Sequence, residues 1–120
     1  MSGPLEGIRI LDIATILAAP LAGTLMADFG ADVVKAEMPG AGDGLRNFPP
    51  FKDGKSIWWK AANRNKKFIT LDLRKPEGSA LLLKMLPKFD VLLENFRTGT
   101  LARWGLDKET LWKAHPHLII

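Results

Sequence analysis

Cysteine is absent from the 120 residues, which excludes a disulfide framework, a thiolate metal site and a thiol nucleophile. Histidine is scarce: only His115 and His117 occur, on either side of Pro116, and two such neighbours do not make a zinc site. No apolar run approaches the roughly 20 residues of a spanning helix. The opening MSGPLEGIRIL lacks the basic, apolar, small-residue order of a signal peptide. A soluble, cytoplasmic protein without membrane partners is the expectation. No Ser-His-Asp set, P-loop or metal-ligand cluster can be assembled either.

What is present suits a folded domain. Hydrophobic residues make up 47% of the chain, enough for a core and too many for disorder, so residues 1–120 are read as one α/β portion. The net charge is +4, from 17 basic and 13 acidic residues. The basic residues cluster at Arg64-Asn65-Lys66-Lys67, Arg74-Lys75 and Arg97–Arg103, each beside a predicted strand end. No helix carries the basic stripe of a duplex-DNA reader. Trp58-Trp59 between Lys55 and Lys60 keeps a basic single-strand-binding module open as a reading of a different class.

Gly7–Asp43 predicts a βαβ unit. Ile8–Leu11 reads as a strand ended by Asp12, Pro20 suits a first helical turn, Gly30 stops the helix, and Val33-Val34 lie in a second strand. A parallel pair with a right-handed crossover follows. In such sheets ligands bind beyond the carboxyl ends of the strands, which marks Ala14–Ala19 and Met38–Asp43. Gly44–Ala62 shows no sustained period and is expected to be a long loop, either a lid or a cap on the sheet or a partner.

Lys67–Leu73 alternates with period two, as a half-buried strand does. Pro76 and Glu77 open a helix running to about Leu86, with Leu81, Leu82, Met85 and Leu86 as its apolar stripe. Asp90–Glu94 is a strand, Asn95–Gly99 a turn, and Thr98 or Thr100 caps a short helix through Trp104. Lys108–Ala114 is a further helix, and His117–Ile120 begins another strand. Alternation of strands and helices predicts a Rossmann-like parallel sheet flanked by helices.

Few residues offer chemistry of their own. Gly40-Ala41-Gly42-Asp43-Gly44 follows a strand but opens no helix, so a turn is the better reading than a dinucleotide fingerprint. Asp12 is read as tying down the loop after it. Asp43 and Arg46 are either a substrate-side pair or part of a solvated turn. Arg64, Lys66, Arg74 and Arg103 near apolar Leu71, Leu73 and Phe96 suit a ligand with phosphates and a flat ring; a solvated rim with intersubunit ion pairs is the alternative.

The phrases GIRILDIATILAAPLAG, LMADFGADVVKAEMPGAGDGLR, NRNKKFITLDLRKPEG, DVLLENFRTGTLARWGLD and HPHLII resemble the N-terminal part of the class III coenzyme A-transferases. The resemblance implies that fold, an interlocked homodimer when complete, and a longer enzyme of which this chain is the N-terminal portion. It implies transfer of coenzyme A between an acyl-CoA and a carboxylic acid acceptor, with coenzyme A as substrate, no permanently bound cofactor and no nucleic acid. The implied coenzyme A contacts are Leu17, Ala18, Met38, Leu71, Asp72, Leu73, Arg74, Asn95, Phe96, Arg97 and Arg103. Arg103 would meet phosphate, Arg74 the adenosine end, and Phe96 or Leu71 the ring.

Met38 stands where relatives often present an arginine, for which Arg64 or Lys66 would substitute. Leu17 stands where some members carry an amide. The nucleophilic aspartate is expected beyond Ile120, so no catalytic residue is assigned within the chain. An α-methylacyl-CoA racemase of the same fold is the alternative, disfavoured by the long Asn47–Ala62 segment.

Overall fold

The computed structural model of the chain describes residues 2–120. Strands β1 (Arg9–Asp12), β2 (Asp32–Glu37), β5 (Lys67–Thr70) and β6 (Val91–Leu93) form one sheet in the order β5-β2-β1-β6. Every pairing in it is parallel, with Leu11 opposite Val34 on one side and Leu92 on the other. Ile119 adds a parallel bridge outside β6, where His117–Ile120 was expected to begin a strand.

Adjacent residues of β1 serve opposite faces, as a strand's period of two requires. Ile10 packs with Ala27 of helix α1 (Ala18–Asp28), Ala31 and Val33. Leu11 packs on the other face with Leu82 of α3 (Pro76–Met85), Leu86, Leu92 and Leu111 of α5 (Lys108–Ala114). Both Ile10 and Leu11 are fully buried, so the central strand is covered on both sides, as parallel sheets require.

α1 begins two residues before Pro20, which is compatible with its first turn. It stops where Gly30 adopts φ +103°. α3 opens on Pro76, and the Ser79 hydroxyl donates to the Leu73 carbonyl at 2.8 Å. The short α4 (Thr100–Arg103) is capped by Gly99 in the left-handed conformation, not by a threonine hydroxyl.

Three expectations need correction. Gly44–Ala62 is not a structureless loop: it contains a 3₁₀ turn (Gly44–Asn47), a hairpin of β3 (Phe51–Lys52) and β4 (Lys55–Ser56), and helix α2 (Ile57–Ala62). Asp43 and Ser56 cap the 3₁₀ turn and α2 with their side-chain oxygens. β5 ends at Thr70, short of Leu73, and Phe68 is 44% exposed because β5 is the sheet's edge. The buried positions of α3 are Gly78, Ser79 and Leu82, with Leu81 left outside. The glycine and serine let α3 approach the Asp72–Leu73 backbone, rotating the helix away from a purely aliphatic stripe.

A β-carbon at Gly78 would collide with the Asp72 carbonyl oxygen. Gly78→Ala is therefore expected to lower stability by about 1–3 kcal/mol through overpacking, read as a shifted urea midpoint. An unchanged midpoint would contradict this close approach.

Candidate functional site

The chain crosses from β5 on one side of β1 to β6 on the other, which puts a change of direction between β1 and β6. Crevices at the carboxyl ends of such strands are where open α/β sheets hold ligands. A cavity of about 270 Å³ lies there. Its walls come from the loop after β1 (Ile13, Thr15), the end of β2 and its turn (Glu37, Met38, Gly42, Asp43), the segment after β5 (Leu71, Leu73), and Phe96 and Trp104. The Phe96 and Trp104 rings meet edge to face, 5.0 Å between centroids. The result is a mostly apolar slot with carboxylates along one wall.

Those carboxylates are not free. Glu37 Oε1 accepts from Arg46 Nη2 and Oε2 from Arg46 Nε, both at 2.7 Å, while Oε2 also accepts the Asp43 N–H at 2.8 Å. Burial pushes the Glu37 carboxyl up, but the Arg46 hydrogen bonds, the Asp43 N–H and the charges of Arg46 and Lys35 outweigh it. The net direction is below the ordinary carboxylate value. The other side of the guanidinium lies 4.0 Å from the Trp59 ring centroid, a cation–π contact. Gly42, at φ +70°, leaves room for the pair, since a β-carbon there would sit 2.8 Å from Glu37 Oε2.

Below this wall lies a closed cluster of charge. Lys35, in the middle of β2, has a fully buried side chain. Its Nζ donates to the Ala14 carbonyl at 2.7 Å and lies 3.2 Å from Asp43 Oδ2 and 3.7 Å from Asp12 Oδ2. Lys66 Nζ donates to Asp12 Oδ2 at 2.8 Å, the Pro20 carbonyl at 2.6 Å and Asn63 Oδ1 at 3.0 Å. Burial pushes the Lys66 ammonium below the ordinary lysine value, against the opposing pull of Asp12. Two carboxylates balance two ammonium groups, and among the described residues no buried side-chain nitrogen or oxygen lacks a partner. Removing one member of such a set costs about 3–5 kcal/mol, because it strands a buried charge.

The loop above the cluster is held tightly. Asp12 Oδ1 accepts the Ala14 N–H at 3.0 Å, and both Asp43 oxygens accept the Ile16 N–H at 3.1 Å. Asn95 clasps Thr15 from across the crevice, accepting its N–H and donating to its carbonyl, each at 2.9 Å. Ile16 adopts φ +65°, a conformation costing on the order of 1–3 kcal/mol for a non-glycine residue.

Of the expected contact residues, the cavity brings together Met38, Leu71, Leu73 and Phe96. Leu17 packs instead beside Leu45, Trp59 and Ala62, and Ala18 opens α1. Asp72 and Arg74 pair with each other on an exposed turn, at 2.9 and 3.0 Å, and the Arg74 hydrogen bonds hold the Asp72 carboxyl below its ordinary value. Asn95 gives its amide to Thr15. Arg97 lines a separate cleft beyond Phe96 with Glu94 and Lys108. Arg103 is exposed, its guanidinium 3.2 Å from the Thr100 hydroxyl.

Arg64 and Lys66 are not placed to substitute for an arginine at Met38: Arg64 pairs with Asp28, and Lys66 is buried under Asp12. Asp43 and Arg46 form neither a mutual pair nor a solvated turn, because each is taken by the opposite charge of β2. Asp12 does tie down its loop. Trp104 as a slot wall, and Lys35 with the pairing that joins it to Asp43 and Asp12, were not anticipated from sequence. A lone lysine inside the apolar run Val33-Val34-Lys35-Ala36 was the available signal, since a strand covered on both faces must pair such a charge.

The model of a family described as CoA-transferase family III matches residues 5–120. A succinyl-CoA–D-citramalate CoA-transferase of Chloroflexus aurantiacus is 48% identical over 118 residues, 98% of this chain and 29% of that protein. A succinyl-CoA:glutarate CoA-transferase of Mus musculus is 42% identical over 117 residues, 97% of this chain and 27% of that protein. Among solved structures, a CAIB/BAIF family protein from Brucella suis superposes with a TM-score of 0.90 at 39% identity, over 99% of this chain and 32% of that one. The chain thus spans 27–32% of the length of these three relatives. A β-ketoacyl-ACP reductase structure, at 17% identity and a TM-score of 0.55, shares the fold alone.

The Glu37–Arg46 pair yields an expectation for acid. Because the folded Glu37 carboxyl titrates below the unfolded one, its contribution is complete above about pH 4.3 and disappears as pH falls through the folded value. Glu37→Gln should flatten this part of the acid loss of stability, followed by denaturant midpoints across pH. Arg46→Ala should cost about 1–2 kcal/mol at neutral pH, reduced from a buried pair's value because the guanidinium is half exposed. An undiminished acid slope in the Gln variant would contradict the assignment.

Proposed function

The chain belongs to CoA-transferase family III, and on that premise we propose that it is the coenzyme A-binding portion of an enzyme that moves CoA between an acyl-CoA thioester and a carboxylic acid. The observation that carries this reading is the apolar slot at the carboxyl edge of the sheet, where Leu71, Phe96 and Trp104 offer flat and aliphatic surface for a heteroaromatic ring. The other contacts of this reading are Leu17 and Ala18 at the start of α1, Met38 and Leu73 in the slot, and Asp72 with its partner Arg74, the latter toward the adenosine end. Arg103 is the phosphate contact of this reading, Arg97 is a further contact from the cleft beyond Phe96, and Asn95 acts through Thr15.

The exposed Arg103 suits a phosphate because its fork of donors is bonded only to a hydroxyl among the described residues. The names of the relatives, which pair succinyl-CoA with citramalate or glutarate, support a dicarboxylic acyl donor and a carboxylate acceptor. They also favour transfer over racemisation.

In this reading a carboxylate outside residues 1–120 attacks the thioester carbonyl. The CoA thiolate leaves and a mixed anhydride forms, which divides one difficult exchange into easier steps. The aspartates weighed as nucleophiles in this chain are engaged otherwise. Asp12 and Asp43 are buried in the charge cluster, Asp32 pairs with Lys67, Asp72 with Arg74 and Asp90 with Arg9. The working form is a cytoplasmic homodimer, with coenzyme A as substrate and no resident cofactor. A nucleic-acid module has less support, since Trp59 is buried against Arg46 and Trp58 meets Phe48 edge to face.

In the complete polypeptide, Arg103→Ala should weaken coenzyme A binding by about 1.5–3 kcal/mol, the range of hydrogen bonds to charged groups. Unchanged affinity by calorimetry would remove Arg103 from the site. Coenzyme A binding should also be unaffected by added single-stranded DNA; competition, with DNA affinity falling steeply as salt rises, would instead favour nucleic acid.

A further inference from the structure

The loop that forms one wall of the slot is shaped by side chains from elsewhere. Between Ala14 and Ile16, three N–H groups and two carbonyls are taken by Asp12, Lys35, Asp43 and Asn95. The Lys35 and Asp43 side chains are 0% and 2% exposed, so a ligand in the slot scarcely reaches them. Asp43 joins the two walls, holding Ile16 of the first loop and Leu45 of the second by their N–H groups. Lys35 holds Asp43 and the Ala14 carbonyl at once.

We propose that Lys35 and Asp43 are positioning residues for acyl-CoA binding: their buried pair fixes the Ala14–Leu17 backbone in the shape the thioester substrate meets. The proposal rests on the slot being the coenzyme A site. It assigns affinity to a preformed backbone and not to an adaptable side-chain lining. With Ile16 in a left-handed conformation, the loop has a ready way to relax once Asp43 releases its N–H.

A purely structural role predicts that affinity follows stability; a positioning role separates them. Lys35→Met strands two carboxylates against the single Lys66 ammonium, and the thermal midpoint should fall steeply. In Lys35→Met/Asp43→Leu the remaining Asp12 and Lys66 balance, so part of the midpoint should return. That double variant removes the acceptor of the Ile16 and Leu45 N–H groups and the Lys35 donor of the Ala14 carbonyl, so the loop loses its anchors although the charges balance. Coenzyme A affinity, by calorimetry on the complete polypeptide, is expected to stay at least tenfold below wild type. Amide hydrogen exchange in the peptide covering Ala14–Leu17 should be at least tenfold faster. Asp43→Asn, which keeps one acceptor oxygen, should fall between, and it replaces the double variant if that variant does not fold.

Recovered stability with wild-type affinity, or exchange in Ala14–Leu17 as slow as in wild type, would overturn the proposal. Wild-type protein that binds no coenzyme A would overturn the functional reading and the binding role that rests on it, while exchange in Ala14–Leu17 of the variants separately decides whether Lys35 and Asp43 shape the loop.

Discussion

A lysine ammonium held without solvent contact at the carboxyl edge of a parallel sheet constrains everything near it. Desolvating such an ion costs several kcal/mol, recovered only when each proton has an acceptor in good geometry. Lys35 has the Ala14 carbonyl as its hydrogen-bond acceptor and the Asp43 and Asp12 carboxylates as ion-pair partners at 3.2 and 3.7 Å, and these groups come from the loop between β1 and α1, the turn after β2 and the end of β1. Lys66 completes the balance from the segment between α2 and β5, bringing in Asn63 and Pro20. One electrostatic requirement therefore draws four separate stretches of chain to one point.

The open slot lies directly above this closed cluster. Its carboxylates are neutralised within the fold, Glu37 by Arg46 and Asp43 by Lys35, so a ring entering between Leu71, Phe96 and Trp104 meets apolar surface and fixed dipoles instead of unpaired negative charge. The clasp between Asn95 and Thr15 spans the crevice between the β1 and β6 loops, where the strand order reverses. The same contacts that stabilise the sheet edge thus define the shape of the slot proposed as the binding surface.

The elements with strong local signals were legible in sequence. The first βαβ unit carries Pro20 in the first turn of its helix and Gly30 at the helix's end, the next long helix opens on Pro76, and the helix at Lys108–Ala114 is capped by the Asp107 side chain. Gly44–Ala62 was not, because its 3₁₀ turn, two-residue strands and six-residue helix are too short to show a period. Contacts made at a distance hold them, such as Arg46 with Glu37 and Thr24 with Ala62. Met38, Leu71, Leu73 and Phe96, four of the contacts that the family resemblance implies, line the slot together. Lys66, read as suiting a phosphate or as a substitute for an arginine at Met38, is buried against Asp12, because only the fold brings it to that partner 54 positions away. Arg64 was misjudged for the same reason, its partner Asp28 lying on α1.

The most direct test of the account is an experimental structure of the complete polypeptide with coenzyme A bound. The expected result is adenine density in the slot beside Leu71 and Phe96, phosphates toward Arg103, and an Ala14–Leu17 backbone unchanged from the unliganded protein. Density in the separate cleft that Arg46, Lys55, Trp59 and Lys60 line, or a remodelled Ala14–Leu17 loop around the ligand, would contradict it.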